Sequence, residues 1–241
     1  MIIIPMAGLS SRFFKAGFTV PKYMLLLGNE TVFEWSVRSF EAYFQTDHFI
    51  FICFNHFNTY DFVQEKVQKM GIVSYEIIEL NEHTLGQADT VYQGIRHIQD
   101  DQELFIFNID SKLNAFEKLE RLEQVDGYLE IFQGEGEHWS FVEADEQGWV
   151  IRTTEKNRIS NLCSNGLYYF KSSNLFKKNV EQEIQQLAGQ EIYIAPLYNR
   201  YIQAGKKIKY KEVQLSEIDF CGTPAEYEAQ IKKLNMQGEQ V

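Results

Sequence analysis

The first 109 residues alternate short apolar runs with longer amphipathic stretches, and this rhythm restricts the possible folds more than any other feature. Residues 1–6 form an isoleucine-rich run ended by Gly8, which suits a strand buried on both faces. In residues 31–44, Val32, Phe33, Trp35, Val37, Phe40 and Phe44 recur broadly at helical spacing. Residues 48–54, 74–80 and 103–109 read as further strands, and 60–70 and 86–98 as helices. Such alternation predicts a mainly parallel sheet covered on both faces, an α/β/α arrangement of three layers.

After Asp110 the rhythm changes. Residues 128–132, 139–144, 149–154 and 167–170 are strand-like with little room for helices between them, so antiparallel additions to the same sheet are expected. Helices over 174–187 and 193–204, a strand over 207–213 and a closing helix over 224–234 complete the order. No repeat or composition shift marks a boundary. A single domain over 1–241 is expected, in two halves at 1–110 and 111–241.

Formal net charge is −11, so no general field attracts a nucleic-acid backbone or an anionic membrane. Anionic substrates would need locally gathered cations or a metal. Cys53, Cys163 and Cys221 are far apart and form no metal-ligand spacing with the histidines, which reads as reduced thiols. The first apolar run lacks a basic leader and is too short to span a bilayer, so a cytoplasmic protein is expected.

The sharpest local feature is the exit from the first strand, Gly8-Leu9-Ser10-Ser11-Arg12, followed by Pro21-Lys22. Ligands of open parallel sheets sit at the carboxyl ends of strands, where this loop lies. Gly8 permits close backbone approach to a phosphate, Ser10 and Ser11 offer hydroxyl and amide donors, and Arg12 and Lys22 bring positive charge. The loop is neither a Walker A sequence nor the three-glycine dinucleotide turn. Leu85-Gly86-Gln87-Ala88 opens the predicted fourth helix, whose amino terminus presents free N–H groups. Asp110 follows a strand at the same sheet edge, and Asp219 precedes Gly222-Thr223-Pro224, where Thr223 caps and Pro224 starts the last helix.

The run Pro5-Met6-Ala7-Gly8-Leu9-Ser10-Ser11-Arg12-Phe13, with Pro21-Lys22 and the apolar residues 24–27, resembles the signature of the sugar-phosphate nucleotidyltransferase family. Ser10 stands where many members have a second glycine, and Tyr23 where many have proline. The resemblance implies a Rossmann-like sheet and a reaction in which an NTP and a phosphorylated acceptor give NDP-acceptor and pyrophosphate. It implies that Ala7, Gly8, Ser10 and Ser11 hold the triphosphate, that Gln87 and Ala88 read the base, and that Arg12 and Lys22 are catalytic. It further implies Mg²⁺ on Asp110 and Asp219, an acceptor held by Glu155, Lys156 and Gly166, and hence a nucleotide-binding half at 1–110 and an acceptor-binding half at 111–241.

Resemblance leaves the NTP open among CTP, UTP and dTTP, the acceptor open among sugar, polyol and small-alcohol phosphates, and the homo-oligomeric state open. Cell-surface polysaccharide precursors are the expected products by family association, and the length predicts no fused hexapeptide-repeat acetyltransferase. Residues 191–199 read either as acceptor-pocket wall or as helix packing. Trp139, Tyr168, Tyr169, Tyr193 and Tyr198 could in principle cage a quaternary ammonium, against the commoner reading of core packing. The competing readings are a non-catalytic nucleotide-sugar-binding or regulatory relative, which would not need two metal carboxylates, and a nicotinamide dehydrogenase, whose glycine spacing is missing.

Overall fold

The computed structural model describes residues 1–187 and 189–238. Its centre is a nine-stranded sheet. The strands β1 (Ile2–Met6), β4 (Phe49–Phe54), β5 (Tyr75–Leu80) and β6 (Leu104–Phe107) are parallel, in spatial order β6-β1-β4-β5. Two short pieces, β2 (Leu26–Leu27) and β3 (Glu30–Thr31), form a separate hairpin, and β7 (Ser111–Leu113) pairs outside the main sheet with β13 (Ile218–Phe220).

Alternation along β1 and β4 sorts their side chains. Ile2, Ile4, Met6, Phe49, Phe51 and Cys53 join a core with α2 (Val32–Val37) and α3 (Thr59–Met70). Ile3, Ile50 and Ile52 join the opposite core with α4 (Gln87–Ile95), α5 (Ser173–Gln186) and α6 (Ile194–Gln203). Strands buried on both faces read as continuous apolar runs for this reason. The third cluster, Phe13, Leu25, Leu27, Val32, Trp35, Cys221 and Tyr227, joins α1 (Ser11–Lys15) to α7 (Pro224–Gly238) beneath the first loop.

The second half attaches through β11 (Leu162–Phe170). Along one side of β11 runs β8 (Gly127–Gln133), which pairs in turn with β12 (Ile208–Glu212). The other side of β11 is shared: Leu167 to Phe170 pair with β6, while Leu162 and Cys163 pair with β9 (Ser140–Ala144), whose other neighbour is β10 (Val150–Glu155). Near the junction of the two partners the register with β8 shifts between Ser164 and Tyr168, so that Asn165, Gly166 and Leu167 form a bulge. The sheet therefore forks at this point.

The mixed, mainly parallel α/β/α expectation agrees with this architecture. Two details differ. β12 joins β8 in parallel rather than antiparallel sense. The helix expected over 31–44 ends at Val37 and continues as a 3₁₀ segment over Arg38–Tyr43. Its start is fixed by a capping box between Thr31 and Glu34. Ser39 Oγ then donates to the Ser36 carbonyl at 2.7 Å, a local bond that competes with the α-helical ladder.

Candidate functional site

Two carboxyl ends, β1 with its loop and β6 with the turn after it, converge at the fork on the bulge of β11. The result is a cleft of about 390 Å³ that adjoins a second of about 560 Å³, with Pro5, Gly8, Gln87 and Glu191 lining both. Ligands of open α/β sheets bind at such an edge.

In the first loop Ser10 is left-handed, φ 49°, a strained setting for a residue with a side chain. Its Oγ accepts the Lys22 backbone N–H at 3.2 Å, tying the two ends of the loop together. A Cβ at Gly8 would meet nothing within 4 Å, so the backbone there faces open space. Arg12 and Lys22 line the first cleft, and Lys22 Nζ makes a short ion pair with Asp110 Oδ2. Ala7 lines the second cleft with Leu9, His83, Thr84 and Gly86.

Gly86, at φ 108°, leaves no room for a side chain, because a Cβ would lie 2.7 Å from the Ile192 carbonyl. Gln87 follows, lines both clefts, and donates its side-chain amide to Asn108 Oδ1. Ala88 is different: its methyl is fully buried and its N–H donates to Ile192 O at 3.1 Å. The expected base contact by Ala88 is therefore corrected, since the helical phase turns it into the core. Ser10 and Ser11 also lie outside the linings of both clefts.

Across the fork stand Glu155, Lys156, Ser164, Asn165 and Gly166. Glu155 accepts a short hydrogen bond from Ser140 Oγ. Lys156, left-handed at φ 52°, donates to Tyr193 Oη at 2.9 Å, and Tyr193 donates onward to Glu191. The Tyr193 bond and the carboxylates beyond it hold the Lys156 ammonium above the usual lysine range. Gly166, at φ 93°, packs directly on Asn108, where a Cβ would come within 2.3 Å of Nδ2. Asn165 donates to Glu130 at 3.1 Å, a carboxylate with 1% exposure that also pairs with Lys211 at 2.9 Å. Burial first, opposed by Lys211, raises the Glu130 carboxyl above its ordinary value.

The expected meeting of Asp110 and Asp219 does not occur. Asp219 lies between Ile218 and Phe220 on β13, and neighbours on a strand face opposite ways. Phe220 takes the cleft side, tilted against Trp139 with ring centroids 4.9 Å apart, while Asp219 accepts from Lys233 at 2.6 Å and from Asn114 at 3.2 Å. Burial pushes the Asp219 carboxyl up, but the bonds from Lys233 and Asn114 outweigh it and hold the group below the usual range. Among the described residues no group of three His, Cys, Asp or Glu side chains could hold a metal.

A carboxylate the sequence reading passed over stands closer. Glu226 lines the cleft, and a Cβ on Gly222 would lie 3.0 Å from Asp110 Oδ2 and 3.5 Å from Glu226 Oε2. The missing side chain of Gly222 thus leaves a gap faced by both carboxylates. Its signal was the spacing Thr223-Pro224-Ala225-Glu226, which also serves as a cap: Glu226 Oε2 accepts the Thr223 N–H at 2.9 Å. Asn108, two residues before Asp110, was likewise passed over.

Of the five aromatic residues weighed for a cage, Trp139, Tyr168 and Tyr193 line the cleft, with Tyr168 only 4% exposed; Tyr169 and Tyr198 are fully buried. Residues 191–199 do both things expected of them: Glu191 and Tyr193 face the cleft, while Leu197 and Tyr198 pack in the core. All three cysteines are buried, and burial raises the Cys53 and Cys221 thiols to about 12, which removes them as nucleophiles. No helix among the described residues is long and apolar enough to cross a membrane.

Comparison with known proteins places these features in a family setting. A family model described as nucleotidyl transferase matches residues 2–215. A solved nucleoside-diphosphate-sugar pyrophosphorylase from Vibrio cholerae RC9 is 43% identical, with a TM-score of 0.92 over 96% of this chain and 100% of that one. An inositol-1-phosphate CTP transferase from T. maritima shares the fold at 14% identity, TM-score 0.73, covering 96% and 94% of the two chains. So does a UDP-glucose pyrophosphorylase solved with UDP-glucose, at 13% identity, TM-score 0.77 and 98% coverage of both chains. No curated protein matches the chain.

Proposed function

Because the chain belongs to the nucleotidyl transferase family of sugar-phosphate nucleotidyltransferases, we propose that it couples CTP, UTP or dTTP to a phosphorylated sugar, polyol or small alcohol, releasing pyrophosphate. The NDP-linked product would serve cell-surface polysaccharide assembly. The observation that carries this reading is the convergence of Gly8, Arg12, Lys22, Gln87, Asp110, Glu155, Lys156 and Gly166 on one cleft.

The acceptor phosphate, already ionised at neutral pH, attacks the α-phosphorus of the NTP in line. A new P–O bond forms as the bond to the bridging α–β oxygen breaks, and pyrophosphate leaves with that oxygen. No general base is required, so positioning and charge neutralisation supply the rate. Arg12 holds the departing pyrophosphate, and Lys22 spans the reacting phosphates. Gly8 brings backbone N–H groups to the triphosphate while Gln87 meets the base. Lys156 and Glu155 orient the acceptor across the fork, with Gly166 keeping that wall close to Asn108.

Asp110, with Glu226 as the next carboxylate beside the gap at Gly222, fits a hard cation. Mg²⁺ bound there would supply neutralisation of phosphate charge. In the protein itself Lys22 shares Asp110, so the same carboxylate also orients the ammonium.

A matrix of four NTPs against phosphorylated sugars, polyols and choline, with Mg²⁺ and read by pyrophosphate release, tests the proposal. One NTP–acceptor pair should turn over well above the rest. Absence of pyrophosphate with every pair would reject it.

A further inference from the structure

The turn between β4 and α3 touches both arms of the phosphate loop, although the reaction proposed above makes no use of it. Phe57 and Asn58 stand in consecutive left-handed conformations, φ 55° and 54°. A bulky aromatic residue adopts this conformation only when its surroundings impose it, and such strain gathers at functional sites. Glycine would sit there freely.

What the strained backbone achieves is a contact. The Phe57 ring stacks on Phe14, with centroids 5.6 Å apart and planes at 16°, and His56 packs against Phe57 at 4.1 Å. Phe14 lies in α1, two residues beyond Arg12. Phe57 remains 38% exposed, so core burial does not account for its placement.

The same turn reaches the other arm through Thr59. Thr59 Oγ1 gives its proton to the His56 carbonyl, so in the 3.0 Å contact with Tyr23 the tyrosine hydroxyl is the donor. Both residues are buried, Thr59 fully. Tyr23 directly follows Lys22, whose own N–H is held by Ser10. The turn and the first residue of α3 therefore hold Phe14 and Tyr23, which lie close in sequence to Arg12 and Lys22.

We infer that Phe57 and Thr59 are positioning residues for nucleotidyl transfer: through Phe14 and Tyr23 they set Arg12 and Lys22 against the triphosphate. The inference rests on the roles proposed above for those two cations. It also gives Tyr23 a purpose where the family signature often has proline: its hydroxyl replaces ring rigidity with an anchored hydrogen bond.

The test combines steady-state pyrophosphate release with thermal unfolding for Phe57→Gly, Phe57→Tyr, Thr59→Val and Thr59→Ser, with Lys22→Ala as reference. Phe57→Gly removes the ring and the strain together. Its Tm should hold or rise while kcat falls about tenfold and KM for NTP rises, with KM for the acceptor unchanged, since small misplacements of charged groups cost rate steeply. Phe57→Tyr should restore the rate. Thr59→Val should lower kcat likewise, and Thr59→Ser, which keeps the hydroxyl, should recover it. Wild-type kinetics in Phe57→Gly and Thr59→Val beside an inactive Lys22→Ala would overturn the inference, as would losses that track Tm across the series. Wild-type turnover in Lys22→Ala would instead reject the role of Lys22, and the inference would fall with it.

Discussion

The two walls of the cleft are assembled on different principles. The proposed nucleotide wall comes from short stretches that follow parallel strands, Ala7 to Lys22 after β1 and Thr84 to Gln87 at the start of α4. The proposed acceptor wall is made of side chains delivered by β9, β10, β11 and the segment before α6, brought together only because the sheet forks along β11. A side-chain wall on a fork can be rebuilt residue by residue, which lets a shared reaction serve different acceptors.

Substitutions separate the walls. Lys22→Ala should have the largest effect, lowering kcat about 10³-fold with the fold intact, as expected for loss of a preorganised charge at the reacting phosphates. Pyrophosphate release together with circular dichroism checks this. Asp110→Asn should lower turnover about 10²-fold and weaken its dependence on Mg²⁺, and an unchanged Mg²⁺ titration would remove Asp110 from the metal site.

Gly166→Ala should act mainly on the acceptor wall. A Cβ at φ 93° and 2.3 Å from Asn108 Nδ2 forces the bulge to shift, so KM for the acceptor should rise about tenfold, with a smaller rise in KM for NTP through the Asn108–Gln87 bond. An equal rise in both constants would break the division into two walls.

Asp219→Asn should give the smallest effect, on stability rather than turnover, of about 0.5 kcal/mol because Lys233 is half exposed. The folded Asp219 carboxyl titrates below its ordinary value, so its contribution exists above the unfolded pKa and disappears as pH falls through the folded one. The Tm difference between variant and wild type should therefore be seen at neutral pH and vanish in acid. A large loss of turnover would restore Asp219 to the site.

These contrasts also mark what could be read from sequence. The β1 loop, Gln87 and Asp110 were legible because each depends on a few neighbouring residues and a predictable strand end. The fork was not, since it needs one strand, β11, to pair both with β9 nearby in sequence and with β6, whose residues lie 60 or more positions before their partners. Asp219 misled because facing alternates with every residue along a strand, and a one-residue shift exchanges it for Phe220. Ala88 misled in the same way on a helix, where one step turned the side chain from cleft to core. Glu226 was visible only as the fourth residue of Thr223-Pro224-Ala225-Glu226, and nothing in that spacing shows that its carboxylate turns toward Asp110.

³¹P NMR of the protein incubated with Mg²⁺, a pyrimidine NTP and its preferred phosphorylated acceptor observes the proposed bond exchange directly. Pyrophosphate and a new diphosphate diester should grow in equal amounts as the NTP and acceptor signals decline. Orthophosphate in place of pyrophosphate, or an NTP spectrum unchanged with every acceptor, would contradict nucleotidyl transfer at this cleft.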